Sequence, residues 1–162
     1  MSKPLAELAY IGVGANLGEP ALTVERAIAR LNQLPDTRLD AQSSLFRTAP
    51  IDASGNDYIN AVVRVETRLA PLALLKELQR LEASFGRERP FPNAPRTLDL
   101  DILLFGKQSI DDPRLVVPHP RLTARAFALI PLLQLDPFIA IPDRGPAHKY
   151  VPEVAGQRIE RL

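Results

Sequence analysis

Residues 95–105 read Pro-Arg-Thr-Leu-Asp-Leu-Asp-Ile-Leu-Leu-Phe, an apolar run of strand length that carries two aspartates. Successive side chains of a strand point to opposite faces, so Asp99 and Asp101 are expected on one face. The other face is expected to carry Leu98, Leu100, Ile102 and Leu104. The two aspartate Cα atoms would lie about 6.6 Å apart, and at an effective dielectric constant of about 20 their charges repel by about 2.5 kcal/mol.

This repulsion predicts a neutralising partner. An arginine such as Arg96 could pair with the aspartates, one carboxyl could take up a proton, or a divalent cation could bridge both carboxylates and a phosphate. Ordinary solvated carboxylates on an exposed face are the simpler alternative. The surrounding third of the chain favours a nucleotide polyphosphate site, because it adds Glu82, His119 and many arginines. These arginines are Arg80, Arg87, Arg89, Arg96, Arg114, Arg121 and Arg125.

The elements predicted before this strand indicate the fold class. Alternating apolar residues predict strands at 8–14, 39–46 and 59–65. Helical spacing predicts helices over 20–34 and from Pro71 to a stop at Gly86. Together with the aspartate strand, the order is βαββαβ. It predicts an α+β, ferredoxin-like sandwich with a mainly antiparallel sheet and two helices packed on one face.

The rest of the chain is expected to be irregular or to extend this unit. Residues 50–56 and the proline-rich 87–95 are predicted loops. A helix over about 123–133 is predicted to add a layer, followed after Asp136 by an irregular tail with short strands. At 162 residues, we expect one domain, 1–162, with this C-terminal extension.

Composition excludes several classes of protein. The absence of Cys excludes disulfides and thiolate metal sites. A net charge of +1 without a basic block argues against an extended nucleic-acid footprint. Glu7 interrupts the N-terminal run where a signal peptide needs apolar residues, and no segment reaches transmembrane length. We therefore expect a cytoplasmic protein without a nucleic-acid or membrane partner.

A glycine-rich stretch follows the first predicted strand. In Gly12–Gly18, the third glycine is one position too late for a dinucleotide-binding fingerprint, and Asp40 begins rather than ends the second strand. No phosphate-binding loop of the Walker type occurs in the sequence. A dinucleotide site is therefore not predicted.

Four further residues are candidates for binding or for structure. His119, between two prolines, is either a hydrogen-bonded turn residue or a ligand contact, and zinc is disfavoured without Cys or a second nearby His. Tyr58 and Phe127 are either core aromatics or binding residues. Asn60 shares the strand face of Tyr58 and could offer its amide to a planar heterocycle.

Several motifs, in the right order, resemble those of the 6-hydroxymethyl-7,8-dihydropterin pyrophosphokinases, which transfer pyrophosphate from ATP to a pterin alcohol in the folate pathway. The motifs are residues 12–18, 46–50, 57–61, 96–106 and 117–121, with Arg125 and Phe127. The resemblance covers nearly the whole chain. It implies a ferredoxin-like fold and a Mg²⁺-dependent enzyme that uses ATP and releases AMP.

The resemblance also implies residue roles. Two Mg²⁺ ions would bind Asp99 and Asp101, with Arg87 and Arg96 as further catalytic residues. ATP would be met by Gln79, Glu82, Arg89, Arg96, Ile102, Arg114, Val116, His119 and Arg125. The pterin ring would stack between Tyr58 and Phe127, with Asn60 and the backbone around Thr48 and Ile51 reading its edge. Between Arg89 and Arg96 the chain departs from the family, because Asn93 stands where Trp is common and Phe91 is the nearby aromatic residue.

Two other readings remain open at this point. A non-catalytic ferredoxin-like domain that binds a small regulatory ligand would bind without releasing AMP. A single-stranded RNA-binding domain of the same topology needs exposed aromatics and a basic sheet face, which alternating Arg64, Glu66 and Arg68 do not supply. We expect the enzyme, as a monomer that binds only its small-molecule substrates.

Overall fold

The computed structural model describes residues 5–50, 55–86 and 98–162. The predicted loop 87–95 and residues 51–54 lie outside this part of the chain. The first elements are β1 (Glu7–Ala15), α1 (Pro20–Leu31), β2 (Thr37–Gln42), β3 (Phe46–Thr48), β4 (Tyr58–Thr67) and α2 (Pro71–Phe85). Then come β5 (Asp99–Phe105), β6 (Ile110–Asp112), β7 (Leu115–Val117), α3 (Ala126–Leu135), β8 (Ala140–Ile141), β9 (Gly145–Pro146) and β10 (Ile159–Arg161). Residues Leu122–Ala124 and Ala147–Val154 form 3₁₀ helices.

The main sheet has the order β10-β3-β4-β1-β5, and β2 also pairs with β4. All of these pairs are antiparallel. The βαββαβ unit has four strands, which are β1, the pair β2 and β3 counted as one, β4 and β5. They lie in the order expected for a ferredoxin-like sandwich. The predicted fold class is confirmed.

The single strand predicted over 39–46 is wrong, because β2 and β3 are separate. β2 pairs with the second half of β4 and β3 with its first residues. Between them, the hydroxyl of Ser43 accepts a hydrogen bond from the Val62 N–H at 2.9 Å. A side chain thus replaces a backbone partner in the ladder, which lets the chain change direction between the two short strands.

Helices α1 and α2 cover one face of the sheet, as predicted. Both begin at a proline, Pro20 and Pro71, whose missing N–H costs nothing at a first helical position. Their buried residues belong to the same core cluster as Ile11, Val63 and Ile102 of the sheet. α2 ends before Gly86 as predicted, whereas α1 ends at Leu31 rather than at residue 34.

Strand β5 contains a register shift that the sequence pattern does not reveal. Tyr10 pairs with Leu104, but the next residue of β1, Ile11, pairs with Ile102. The extra residue reverses the alternation, so Leu103 and Leu104 both pack in the cluster on the second face. The prediction that Leu104 shares a face with Leu98 is therefore wrong.

The C-terminal part covers this second face, as the predicted extra layer. α3 begins at Ala126 instead of about 123, because Leu122–Ala124 forms a separate 3₁₀ turn. Leu129 and Leu132 of α3 are fully buried in the second cluster. The tail after Asp136 contains short strands, as predicted, and one of them, β10, returns to the main sheet as an edge strand beside β3. The sequence pattern does not indicate this pairing. No helix in the described ranges is long and apolar enough to cross a membrane.

Candidate active site

A cleft of about 490 Å³ opens on the second face of the sheet, where β1 ends and β4 and β5 begin. This volume lies within the range of sites for small organic ligands. Sheet residues in its wall include Gly12, Gly14, Thr48, Tyr58, Asn60, Asp99, Asp101 and Leu103. The helices and connections add Leu75, Gln79, Glu82, His119, Arg121, Leu122, Arg125 and Phe127.

The strand register explains why these sheet residues meet. Gly14 of β1 lies opposite Asn60 on one side and opposite Asp99 on the other. Residues directly opposite in neighbouring strands share a face. A row therefore crosses the sheet from amide to carboxylate, and the central residue of that row has no side chain.

Asp99 and Asp101 share this face, as the sequence predicts. Asp101 lies opposite Gly12, so a second glycine keeps the floor of the cleft open beside it. Asp99 is half-buried and Asp101 is exposed. Two carboxylates on one open face fit Mg²⁺, which commonly takes one or two protein carboxylates and completes its coordination with water and substrate phosphate. Within the described ranges, no group of three or more acidic, His or Cys side chains forms a ready metal cage.

Helix α2 forms one wall of the cleft and is tied to the aspartate strand. The Glu82 carboxylate accepts a hydrogen bond from the Leu100 N–H at 2.9 Å. Leu100 lies between the two aspartates, so Glu82 fixes the backbone that carries both of them. Gln79 lies one turn earlier in α2 and also lines the cleft.

Asn60 is buried and oriented by its neighbours. Its Nδ2 donates to the Thr48 hydroxyl at 2.7 Å, and the residue is only 6% exposed. A Cβ built on Gly14 would lie 2.6 Å from the Asn60 Oδ1. Asn60 can occupy this position only because residue 14 is a glycine.

Two aromatic residues line the cleft from different layers. Tyr58 is the first residue of β4, and Phe127 lies in the first turn of α3. The Arg125 guanidinium lies 5.4 Å from the centre of the Phe127 ring. An arginine at that distance interacts favourably with the ring and still keeps donors for an anion.

His119 is held by the backbone beside the aspartates. Its N–H donates to the Leu103 carbonyl at 2.9 Å, and its Nδ1 accepts from the Arg121 N–H at 3.1 Å. Burial lowers the pKa of His119, Asp101 opposes this shift, and the charge of Arg125 adds to it. The neutral imidazole then carries its proton on Nε2, as a hydrogen-bond donor.

Some residues implied by the resemblance do not line this cleft. Arg114 is exposed and forms a two-pronged ion pair with Asp112, at 3.0 and 3.2 Å. Ile102 is buried in the first core cluster, and Val116 is 42% exposed on β7. Their assignment to ATP stays a prediction. Ile51, Arg87, Arg89, Phe91, Asn93 and Arg96 lie outside the described residues.

The structure adds lining residues to which the sequence analysis assigned no individual role. Arg121 was named only among the arginines that favour a polyphosphate site, and the structure places it in the wall of the cleft. Leu103 reaches the cleft because it follows Asp99 and Asp101 on the same face of β5. Gly12 and Gly14 were considered for a dinucleotide, whereas they form the floor of this cleft.

Comparison with known sequences gives consistent matches. The family described as 7,8-dihydro-6-hydroxymethylpterin-pyrophosphokinase (HPPK) matches residues 10–137. A 2-amino-4-hydroxy-6-hydroxymethyldihydropteridine pyrophosphokinase of Pseudomonas aeruginosa is 43% identical over 158 residues, 94% of this chain and 95% of the relative. The enzyme of the same name from Haemophilus influenzae is 37% identical over 155 residues, 95% of this chain and 97% of the relative.

Solved structures share the fold. Wild-type Plasmodium falciparum HPPK-DHPS, crystallised with pterin and p-hydroxybenzoate, superposes with a TM-score of 0.74 at 15% sequence identity. The match covers 96% of this chain and 45% of that longer one. This chain thus spans less than half of that protein, and the likeness concerns the fold alone.

Proposed function

The chain belongs to the 7,8-dihydro-6-hydroxymethylpterin-pyrophosphokinase family, and we propose that the cleft between Asp99, Asn60 and Phe127 is its active site. The enzyme transfers pyrophosphate from ATP to the hydroxymethyl group of 6-hydroxymethyl-7,8-dihydropterin and releases AMP, in folate biosynthesis. The resemblance drawn from the motifs is confirmed, and a non-catalytic ligand-binding domain is not favoured. The observation that carries the assignment of the site is the row from Asn60 through Gly14 to Asp99.

We propose that Asp99 and Asp101 hold two Mg²⁺ ions. Their common face, the open glycine floor beside them and the hard-oxygen chemistry of carboxylates support this assignment. Bound there with ATP, magnesium would screen the negative charge of the phosphates from the carboxylates. Glu82, through its hydrogen bond to the Leu100 N–H, keeps the two carboxylates at their spacing along the strand.

The ATP site is proposed for the side of the cleft that carries cations and α2. Four residues that line the cleft together with the aspartates support this ATP site. They are Gln79, Glu82, His119 and Arg125. The Nε2–H of a neutral His119 and the Arg125 guanidinium are donors suited to phosphate oxygens. From the resemblance, Arg89, Ile102, Arg114 and Val116 are further proposed ATP contacts, and Arg87 and Arg96 are proposed catalytic residues.

The pterin site is proposed between Tyr58 and Phe127. A flat bicyclic ring between two aromatic side chains gains stacking and loses apolar surface to water. The Asn60 amide is held in one orientation by Thr48 and is suited to pair with the edge of such a ring. The backbone around Thr48 and Ile51 is proposed to complete this recognition.

The chemistry then depends mainly on positioning. The hydroxymethyl oxygen attacks the β-phosphorus of ATP in line and releases its proton. The bond from that phosphorus to the oxygen of the AMP phosphate breaks, and AMP leaves with the bonding electron pair. Such transfers gain most of their rate from alignment and from stabilisation of the charge that develops on the phosphate oxygens. Arg121 and Arg125 place two permanent positive charges in the cleft.

The state of the whole protein is also proposed. We place the enzyme in the cytoplasm as a monomer with one domain, residues 1–162, that binds ATP and the pterin but neither nucleic acid nor membrane. The net charge of +1 and the absence of a Lys/Arg block support this proposal.

A direct assay tests the proposed site. The protein is incubated with ATP, Mg²⁺ and 6-hydroxymethyl-7,8-dihydropterin, and AMP is measured by chromatography. Asp99→Asn and Asp101→Asn should each lower the rate about a hundredfold or more, because a carboxamide is a poor ligand for Mg²⁺. Asp111→Asn is the control, since Asp111 is an exposed carboxylate on β6 that does not line the cleft.

Two results would contradict the metal assignment. One is a Mg²⁺ titration in which both variants reach the wild-type rate at the wild-type metal concentration. The other is an undiminished rate of AMP release after chelation of divalent cations.

A further inference from the structure

We infer that the C-terminal segment, residues 157–161, positions three walls of the pterin site from outside the cleft. The inference rests on the proposed assignment of that site to Thr48, Tyr58 and Phe127. Gln157 bonds to the residue before Phe127, and Arg158 pairs with the residue before Tyr58. Ile159 is the strand partner of Thr48. None of the three lines the cleft, so each acts through another residue.

Gln157 holds the beginning of α3. Its Oε1 accepts a hydrogen bond from the Ala126 N–H at 2.8 Å, and its Nε2 donates to the Ala124 carbonyl at 2.8 Å. Arg125, the residue before α3, provides no side-chain cap. The first N–H of the helix is thus satisfied by a side chain 31 positions further along the chain. Phe127 is the next residue, so its direction depends on this cap.

Arg158 holds the beginning of β4. Its Nη2 lies 2.9 Å from the Asp57 Oδ2, and Asp57 directly precedes Tyr58. The Arg158 and Asp57 side chains are 59% and 36% exposed. An exposed ion pair contributes less than a partly buried hydrogen bond to the first N–H of a helix, so the effect of Arg158 should be smaller than that of Gln157.

Ile159 supports the third wall through the backbone. It begins β10 and lies opposite Thr48 in the antiparallel pair with β3. Thr48 in turn accepts the hydrogen bond that orients Asn60. A shift of β10 would therefore reach the amide that is proposed to read the pterin edge.

The position of the segment makes the effect selective. β10 forms one edge of the main sheet, whereas β5, with Asp99 and Asp101, forms the opposite edge. Loosening residues 157–161 should disturb the pterin walls and leave Asp99, Asp101 and the α2 side of the proposed ATP site in place. Arg125, between Ala124 and Ala126, is a proposed ATP contact that the loosening also reaches. A general loss of stability would instead weaken the binding of both substrates to the same extent.

The test compares Gln157→Ala, Gln157→Glu and Arg158→Ala with Glu160→Ala, an exposed residue of β10, as the matched control. The affinity for 6-hydroxymethyl-7,8-dihydropterin is measured by titration calorimetry with Mg²⁺ and a non-hydrolysable ATP analogue. The KM of each substrate and the melting temperature are measured on the same samples. Gln157→Ala should raise the Kd and KM for the pterin by up to about tenfold, and it should raise the KM for ATP by a smaller factor, through Arg125.

The other variants should change the pterin Kd by smaller amounts. Arg158→Ala should raise the pterin Kd about twofold to threefold, and Glu160→Ala should leave it unchanged. Gln157→Glu keeps the acceptor for the Ala126 N–H and should recover part of the lost affinity. This rescue separates a positioning role from a simple loss of packing.

Two outcomes overturn the inference. One is an unchanged pterin Kd in Gln157→Ala, and the other is an equal loss of affinity for both substrates. Phe127→Ala separates a failure of the role of residues 157–161 from a failure of the proposed pterin site. If Phe127→Ala weakens pterin binding and Gln157→Ala does not, only the role of the segment fails. If neither weakens it, the proposed pterin site fails as well.

Discussion

Gly14 shows how one missing side chain makes room for a proposed binding residue, Asn60. A Cβ at this position would meet the Asn60 Oδ1 at 2.6 Å, well inside the normal contact distance. Asn60 could then no longer hold its bond to the Thr48 hydroxyl without a shift of the strand. The glycine of the sequence motif thus serves the neighbouring strand, and its role depends on the distance to a side chain 46 residues away.

Gly14→Ala should therefore damage the site. We expect the free energy of unfolding to fall by about 1–3 kcal/mol, because a buried amide is displaced and the Thr48 hydroxyl loses its partner. The pterin Kd should rise in parallel. Gly12→Ala is the steric control for stability, since its Cβ would meet Leu103 at an ordinary 3.7 Å. Equal melting temperatures for the two variants in thermal unfolding would contradict this account.

His119 predicts a pH dependence of stability. Burial lowers its pKa in the folded state below the ordinary value of 6.5, so the unfolded chain binds this proton more tightly. The stabilising contribution is present above about pH 6.5 and is lost as the pH falls through the folded pKa. His119→Gln should lack this component, and the difference in unfolding free energy between wild type and variant should narrow from pH 8 to pH 5. Urea unfolding measures it, and a constant or widening difference would refute it.

At the scale of elements, the seven residues of β5 combine three structural features. Its first residues carry the aspartates, the Glu82 carboxylate satisfies the Leu100 N–H, and the register shift turns Leu104 toward the second core cluster, where Leu103 also lies. The strand can therefore serve both layers. It is the edge of the main sheet, where a side chain of α2 replaces the missing neighbouring strand.

Glu82 should contribute to stability as well as to the site. Glu82→Ala leaves the Leu100 N–H without its acceptor and should lower the free energy of unfolding by about 1–3 kcal/mol. Glu82→Gln keeps a carbonyl oxygen and should cost less. Glu77→Ala, in the same helix, removes a partly buried side chain and its ion pair with the exposed Arg80, leaves no backbone N–H without its acceptor, and should cost less than Glu82→Ala. Urea unfolding would contradict this prediction if Glu77→Ala were the more harmful change.

At the scale of the whole molecule, the site exists because two layers meet. Tyr58 belongs to the sheet and Phe127 to the helix that covers its second face. The βαββαβ unit without this C-terminal layer would keep the aspartates and Asn60 but lose one aromatic wall. The extension is therefore part of the proposed active site as well as a cover for the core.

The proposed aromatic sandwich makes a prediction at this scale. Tyr58→Ala and Phe127→Ala should each raise the pterin Kd at least about twofold to tenfold, since an aromatic contact contributes about 0.5–1.5 kcal/mol beyond buried area. Tyr58→Phe keeps the ring and should retain most of the affinity. Phe138→Ala is the control, because this side chain is 87% exposed and lies outside the cleft. Unchanged calorimetric titrations for both alanine variants would reject the sandwich.

The sequence by itself determined the βαββαβ order of the main unit, the face shared by Asp99 and Asp101, and the presence of a covering layer after the sheet. These features follow from local periodicity and from residue chemistry, which a linear pattern records directly. The predicted helix over 71–86 agrees with α2 because proline and glycine mark its two ends. Family membership likewise follows from motifs in a fixed order.

Only the tertiary structure decided the register shift in β5, the division of one predicted strand into β2 and β3, and the return of the tail as β10. Each depends on hydrogen bonds between residues far apart in the chain. The role of Glu82 toward the Leu100 N–H and the cap that Gln157 places on α3 have the same origin. The physical reason is that a polar side chain can satisfy any backbone group within reach, and reach is set by folding rather than by sequence spacing.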